Sequence, residues 1–245
     1  MIKKILITKE GKKIYVRDFS KDVHTQYGFI KKEDLKKAKD GSILTTNTKT
    51  EMSVFSPSFI DLYKKIRRGA QIVSPKDIGI IIAETGINKK SKIVDAGSGS
   101  GALSCFLANI AKEVITYDIR EDFIKIVQDN IKFLNLKNIK IKNKDIYKGI
   151  DEKNVDLITL DVPEPWKAIK PAKESLKLGG FLVSYSPSIP QTIDFVNEIK
   201  KEKSFVHLKT VEIIEGEWEI EDRRVRPKTR GISHTGFLSF VRKIS

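Results

Sequence analysis

Val94-Asp95-Ala96-Gly97-Ser98-Gly99-Ser100-Gly101-Ala102 decides how this chain is read. An apolar run ends in three glycines spaced by single residues, and a helical pattern follows. Lys92 to Ala96 reads as a buried strand and Ala102 to Ala111 as a helix. Glycines between them let the chain turn tightly and let a ligand approach the backbone, while the helix start offers free N–H groups. The same alternation continues outward. Strands are expected over Glu113 to Asp118, Ile139 to Ile141, Val155 to Leu160 and Phe181 to Ser184, with helices over Glu121 to Leu134, Ala168 to Leu178 and Ile189 to Lys201. Gly179-Gly180 should end the second of these helices. Two last strands, Phe205 to Ile214 and His234 to Val241, have no helix between them. Strand–helix alternation implies an α/β, doubly wound, Rossmann-like sheet, and the closing pair implies an antiparallel hairpin at its edge, making seven strands.

Upstream, Ser74-Pro75-Lys76-Asp77 has the form of a helix start and Gly86 of its stop. From Phe59 apolar residues fall three to four apart. Residues 1–58 instead carry hairpin grammar, with Ile2 to Thr8, Lys13 to Val16, Gly28 to Ile30 and Ser42 to Thr46 as short strands. Lys32 to Lys39 reads as a solvated connection or one helical turn. The domains are thus 1–58, small, basic and β-rich, and 59–245.

Composition narrows the function. The 46 Lys and Arg against 32 Asp and Glu leave a formal charge of +14, and residues 1–60 hold 13 basic against 7 acidic residues, the densest excess. That balance favours a polyanionic partner, because each neutralised phosphate releases counterions. Compositional bias or a hot habitat is the competing explanation. The longest purely apolar stretch, Ile78 to Ala83, cannot span a bilayer, and Met1 to Thr8 is too short for a signal segment. No membrane and a cytoplasmic setting are expected. Cys105 is the single cysteine, and His24, His207 and His234 lack ligand spacing, so neither a disulfide nor a structural metal is expected. Cys105 reads as a buried core thiol.

The glycine loop alone leaves two cofactors open. Gly97, Gly99 and Ala102 satisfy the dinucleotide fingerprint, and Asp118, 21 residues beyond Gly97, stands where either cofactor class needs a carboxylate for ribose hydroxyls. Downstream, Asp145 follows the third strand, where an Asp can bind an exocyclic amine such as that of adenine. Asp161-Val162-Pro163-Glu164-Pro165-Trp166 follows the fourth. A carboxylate at the carboxyl end of such a strand faces the ligand crevice; Asp161 could also simply cap the next segment. Two prolines fix the loop, and Trp166 offers an apolar wall or stacking surface.

Glycine loop, Asp118, Asp145 and terminal hairpin together resemble class I S-adenosylmethionine-dependent methyltransferases. Within that class, four motifs are similar to the tRNA (adenine-N1)-methyltransferase family, in particular its archaeal type. They are Arg68-Gly69-Ala70-Gln71-Ile72-Val73-Ser74-Pro75-Lys76-Asp77, the glycine loop, Asp161 to Trp166, and Arg226-Pro227 through His234-Thr235-Gly236-Phe237-Leu238. The resemblance covers the chain from about Phe59 to its end. It implies S-adenosyl-L-methionine as cofactor, held by Gln71, the loop Gly97, Ser98, Gly99, Ser100 and Gly101, then Asp118, Asp145 and Asp161. It implies Asp161 as the catalytic acidic residue, with Tyr185 lining the target-base pocket or serving only as a strand-end aromatic. Trp166, Arg226, Arg230 and His234 become candidates for contacting RNA. The reaction implied is methylation of adenine N1 in the tRNA T-loop, at position 57 or 58 or both, by a homotetramer.

Three positions depart from the family pattern: Ser74 where an aromatic is common, Ser188 where Asn is common and Ser233 where Gly is common. They bear on pocket detail and base selectivity. The acidic run Glu215 to Asp222 is followed at once by the basic run Arg223 to Arg230. The basic half could hold RNA phosphates or pair with the acidic half of a neighbouring subunit. Two other functions compete: a fold-mate methylating a small molecule such as a corrinoid precursor, and a non-catalytic tRNA-binding partner subunit. The basic charge opposes the first, and intact Gly97, Gly99, Gly101, Asp118 and Asp161 oppose the second.

Overall fold

The computed structural model describes residues 2–69, 71–228 and 234–245. The chain divides into two compact units, residues 1–66 and 67–245. In the first, β1 (Lys4–Ile7), β2 (Lys13–Val16), β3 (Val23–Thr25), β4 (Gly28–Ile30), α1 (Lys32–Lys37), β5 (Ile43–Thr45), β6 (Glu51–Phe55) and α2 (Phe59–Tyr63) follow in order. Four of the strands form an antiparallel sheet, β2-β1-β6-β5, over a small core of Leu6, Val16, Ile30, Leu35, Met52 and Val54. The lysine-rich stretch forms α1, a short helix that buries one residue, Leu35. Helix α2 falls in this unit, beyond the division at residue 58 read from the sequence. Its Asp61 accepts the Ser58 N–H at 3.2 Å and the Lys13 ammonium at 2.7 Å, which ties it to β2.

The second unit contains α3 (Pro75–Thr85), β7 (Lys92–Ala96), α4 (Ala102–Ala108), β8 (Glu113–Asp118), α5 (Glu121–Leu134), β9 (Ile139–Asn143) and β10 (Val155–Leu160). Then come α6 (Ile169–Ser175), β11 (Leu176–Ser186), α7 (Ile189–Lys201), β12 (Phe205–Glu212), β13 (Trp218–Glu221), β14 (Arg224–Pro227) and β15 (Phe237–Lys243). Seven strands form one sheet in the order β12-β15-β11-β10-β7-β8-β9. Strands β7 to β11 run parallel, and β15 is antiparallel to both β11 and β12. Strand order reverses between β7 and β10, so a crevice opens at their carboxyl ends, where open α/β sheets bind ligands.

Local chemistry explains most boundaries. Pro75 opens α3 and Gly86, at φ +62°, closes it with its N–H on the Ile82 carbonyl. In α5, Phe123, Ile126, Val127, Asn130 and Leu134 form the buried stripe. A single amide, Asn130, therefore sits in an apolar face. Phe195 and Ile199 of α7 are fully buried in the cluster that holds Val94, Ile158, Leu182 and Val241. Side chains of this kind contribute about 1.5–3 kcal/mol each when taken from water.

Two sequence readings are corrected. Helix α6 stops at Ser175 instead of continuing to Leu178, because Leu176 pairs with Val155 as the first residue of β11 and Leu178 points to solvent. Gly179, at φ +75°, then bends the strand where the β10–β11 register shifts. The acidic-to-basic switch folds on itself as the hairpin β13–β14. Glu219 accepts from Arg226 at 2.6 Å, Arg224 lies 3.8 Å from Glu221, and Lys228 pairs with Glu217. These three pairs form within one chain. Among the described residues no helix is long and apolar enough to cross a membrane, and no acidic, His and Cys group could hold a metal ion. Cys105 is buried, and burial pushes its thiol up to about 12.

Candidate active site at the switch point

The glycine loop joins β7 to α4 with Gly97, Gly99 and Gly101 all at positive φ, +81°, +50° and +71°. Close approach explains two of them. A Cβ on Gly97 would stand 1.9 Å from the Asp161 carbonyl oxygen, and one on Gly101 would stand 3.1 Å from Val127. At Gly99 it would meet only the Gly97 carbonyl, at 4.0 Å. That side of the loop is open.

Two depressions meet at the loop. A narrow slot is walled by Gln71, Ile72, Val73, Asp95, Ser98, Ser100, Leu103 and Asp161. A wider cavity of about 280 Å³ lies between Tyr117, Asp118, Phe123, Asp145, Tyr147, Val162 and Pro163. Gly97 and Asp161 line both.

Asp118 ends β8 with both oxygens engaged, Oδ2 accepting the Gly99 N–H at 3.0 Å and Oδ1 the Arg120 N–H at 2.9 Å. Asp145 caps the single turn Ile146–Lys148, its Oδ1 accepting the Tyr147 N–H at 2.9 Å. Asp161 follows β10, and its N–H bonds the Ala96 carbonyl at 2.8 Å. Among the described residues its carboxylate has no hydrogen-bond partner and no ion pair. Burial, with the nearby negative charge of Asp95 in second place, pushes it up to about 7.

Sequence reasoning gave Asp95 no role. It is a charged residue inside a buried strand, and that anomaly was its available signal. Thr116 and Thr159 from the two neighbouring strands donate to its two oxygens at 2.8 and 2.7 Å. Burial still pushes its carboxyl up to about 6 against the usual 3.8. Because the folded-state value is raised, ionisation opposes folding. The cost is absent below pH 3.8, grows as pH rises toward 6 and is complete above it. The shift corresponds to something on the order of 3 kcal/mol. Asp95→Asn should therefore resist urea better than wild type at pH 7.5, and the gain should shrink by pH 4.5. A gain equal at both pH values would show that Asp95 is not held with a raised value.

Asn130 also went unassigned. Its amide accepts from Arg67 N–H at 2.9 Å and donates to the Arg67 and Ser100 carbonyls at 2.9 and 2.8 Å. The Gly69 N–H adds a bond to Ser100 Oγ at 2.8 Å. The segment entering the Gln71 wall is thereby fixed on the glycine loop.

The remaining candidates lie elsewhere. Tyr185 is buried in β11, donates its hydroxyl to the Thr235 carbonyl and packs against Gly236. Burial pushes it up to about 12, with the negative charges of Asp77 and Asp161 adding smaller shares. Trp166 packs on the core cluster and lines a different depression, with Lys167, Lys170 and Glu198. It does not wall the crevice. Arg226 is engaged with Glu219 on the hairpin, and Arg230 lies outside the described residues, as does Ser233. His234 Nδ1 lies 2.6 Å from Glu212, which holds the imidazole above its ordinary value. Ser74 donates to Asp77 at 2.9 Å instead of capping the backbone of α3. Ser188, the third departure, caps α7.

Comparison with known proteins follows the same lines. Residues 62–235 match the family model described as the tRNA methyltransferase complex GCD14 subunit. The chain is 35% identical to TrmI of Methanocaldococcus jannaschii, a tRNA (adenine(57)-N(1)/adenine(58)-N(1))-methyltransferase, over 98% of this chain and 94% of that one. The crystal structure of the tRNA (m1A58) methyltransferase TrmI from Aquifex aeolicus superposes with a TM-score of 0.84 at 27% identity, covering 99% and 97% of the two chains. A Thermotoga maritima structure, described as an S-adenosylmethionine-dependent O-methyltransferase, superposes with a TM-score of 0.89 at 29% identity, covering 100% and 93%.

Proposed function

This chain belongs to the tRNA methyltransferase family of the GCD14 subunit, and from that premise we propose that it methylates N1 of a T-loop adenine in tRNA with S-adenosylmethionine. The observation that carries the proposal is the unpartnered Asp161 carboxylate at the junction of slot and cavity.

The residues suit that donor. Asp95, Asp118 and Asp161 all line the crevice, and among the described residues none is in an ion pair with a Lys or Arg side chain. Such a set favours a cationic ligand. In this reading Asp118 takes the ribose hydroxyls, and Asp145 takes the adenine amine of the donor on the oxygen that does not cap Tyr147. Gln71 and the loop Gly97 to Gly101 enclose the other end. When bound, S-adenosylmethionine supplies a methyl group made electrophilic by its sulfonium.

Adenine N1 carries a lone pair and no proton, so no general base is needed at that atom. Asp161 accepts from the exocyclic amine of the target base, which orients N1 toward the slot. It also faces the positive charge that develops on the ring. A fixed carboxylate in a water-poor site stabilises that charge more than the neutral ground state, and this difference accelerates the step. Holding the base in line adds the proximity contribution. The target adenine must leave its stack to reach the crevice. The formal charge of +14 supports docking of the folded RNA.

A second reading draws on the same carboxylate. A group near 7 could act as general base toward a hydroxyl acceptor. One experiment separates the two. The protein is incubated with methyl-labelled S-adenosylmethionine and an unmodified tRNA transcript, and the labelled nucleoside is mapped. 1-Methyladenosine from the T-loop is expected; label on a ribose oxygen, or no label at all, ends the proposal. We extend it to a homotetramer, supported by the exposed apolar side chains Trp218, Ile220 and Val225 on the hairpin. Light scattering on the same preparation reads the assembly, and a monomer would remove that part.

A further inference from the structure

Lys76 and Asp77 form a buried ion pair at the start of α3, with side chains 6% and 0% exposed and 3.1 Å between Nζ and Oδ1. Nothing in the methyl-transfer step uses them. Lys76 Nζ also donates to the Ile213 carbonyl at 2.5 Å and to Thr235 Oγ1 at 2.6 Å. Thr235 Oγ1 donates in turn to Asp77 Oδ2 at 2.7 Å. Ile213 is where the chain leaves the main sheet for the arginine-rich hairpin, and Thr235 is where it returns. One ammonium therefore holds both sides of the hairpin's neck.

One wall of the slot adjoins the same cluster, and a buried aromatic of the main sheet adjoins it on the other side. Gln71 and Val73 of the slot lie within a few residues upstream of the pair. On the other side, the Thr235 carbonyl accepts the Tyr185 hydroxyl, and Gly236 lacks the Cβ that would stand 2.6 Å from the Tyr185 ring. Charge-assisted bonds between buried groups are short and directional, so a tilt of the neck must move Lys76 or break its bonds. A buried ion pair is also poorly explained by stability, since apolar replacement of both partners is often neutral or better. Fixing one arrangement of several elements is the use that fits.

We propose that Lys76, Asp77 and Thr235 are positioning residues that couple the neck of the arginine-rich hairpin to the wall of the methyl-donor slot, so that tRNA on the hairpin tightens the donor site. This rests on the tRNA reading above. Coupling of this kind is reciprocal: RNA strengthens donor binding by the factor by which donor strengthens RNA binding.

The test is calorimetric titration of the full chain with S-adenosylhomocysteine, with and without saturating unmodified tRNA transcript. Wild type should bind about tenfold more tightly when RNA is present. Thr235→Val keeps the Lys76–Asp77 pair but removes the hydroxyl joining it to the returning strand. It should bind each ligand alone within about threefold of wild type and lose the coupling, so that at saturating donor its KM for tRNA rises by about the lost factor while kcat is held, and Thr235→Ser restores both. The charge-balanced Lys76→Met/Asp77→Asn double variant should behave as Thr235→Val. Coupling absent in wild type, or unchanged in both Thr235→Val and the double variant, overturns the proposal. Failure of wild type to bind tRNA at all would overturn the tRNA reading with it, which separates the two failures.

Discussion

Asp161→Ala should lower kcat by about 10²–10³-fold, the range found when one preorganised transition-state group is removed. Affinity for tRNA should change little, because phosphate contacts dominate RNA binding and Asp161 makes none in the proposed mechanism. S-adenosylhomocysteine, which lacks the sulfonium charge, should still bind. Single-turnover methylation alongside filter binding of tRNA separates the two quantities. Full activity in Asp161→Ala would sink the mechanism, and an equal loss of tRNA affinity would recast Asp161 as an RNA-binding residue.

The same residue sets a pH dependence. Burial and the charge of Asp95 push Asp161 up to about 7, and the proposed mechanism requires the carboxylate form. The kcat/KM for S-adenosylmethionine reports the free enzyme. It should therefore fall about tenfold per pH unit below 7 and level off above it. Asp161→Asn keeps an acceptor for the amine and has nothing to titrate, so its lower rate should be flat across that limb.

Much of this geometry was legible in the residues, for reasons that differ by position. Helix α3 and the glycine loop are local grammar: Pro75 opens, Gly86 closes, and three glycines between strand and helix permit one kind of turn. Asp118 and Asp161 follow from topology, since a strand's carboxyl end in a parallel sheet opens onto the crevice. Trp166 was less accessible. Which way a loop aromatic turns depends on what α6 and α7 leave uncovered, and they leave it a place on the core. The Lys76–Thr235 bond joins residues 159 positions apart, and no periodicity encodes it. Hairpin β13–β14 was readable in principle. Glu219 faces Arg226 and Ile220 faces Val225 across Asp222, which takes φ +51° in the turn. Read as two blocks of charge, the segment hid its cross-strand pairing.

Gly97→Ala and Gly99→Ala should fail in opposite ways, although both residues share one loop and both have positive φ. At Gly97 the added carbon would overlap the Asp161 backbone, so loop and β10 must part. Loss of about 4 kcal/mol or more is expected, in the class of strained or overpacked sites. At about 2–4 °C per kcal/mol for a unit of this size, melting should fall by 8 °C or more. At Gly99 the added carbon enters open space, and the left-handed backbone alone costs about 1–2 kcal/mol. The melting shift should be correspondingly small. Yet Gly99 lines the slot, and its amide bonds Asp118, so in the proposed reading a methyl group there intrudes on the donor. S-adenosylhomocysteine affinity in Gly99→Ala should drop at least about tenfold, the effect of one lost close contact of roughly 1.4 kcal/mol. A folded Gly99→Ala protein that binds the ligand as wild type does would mean that the donor lies elsewhere, and the open side of this loop would need another explanation.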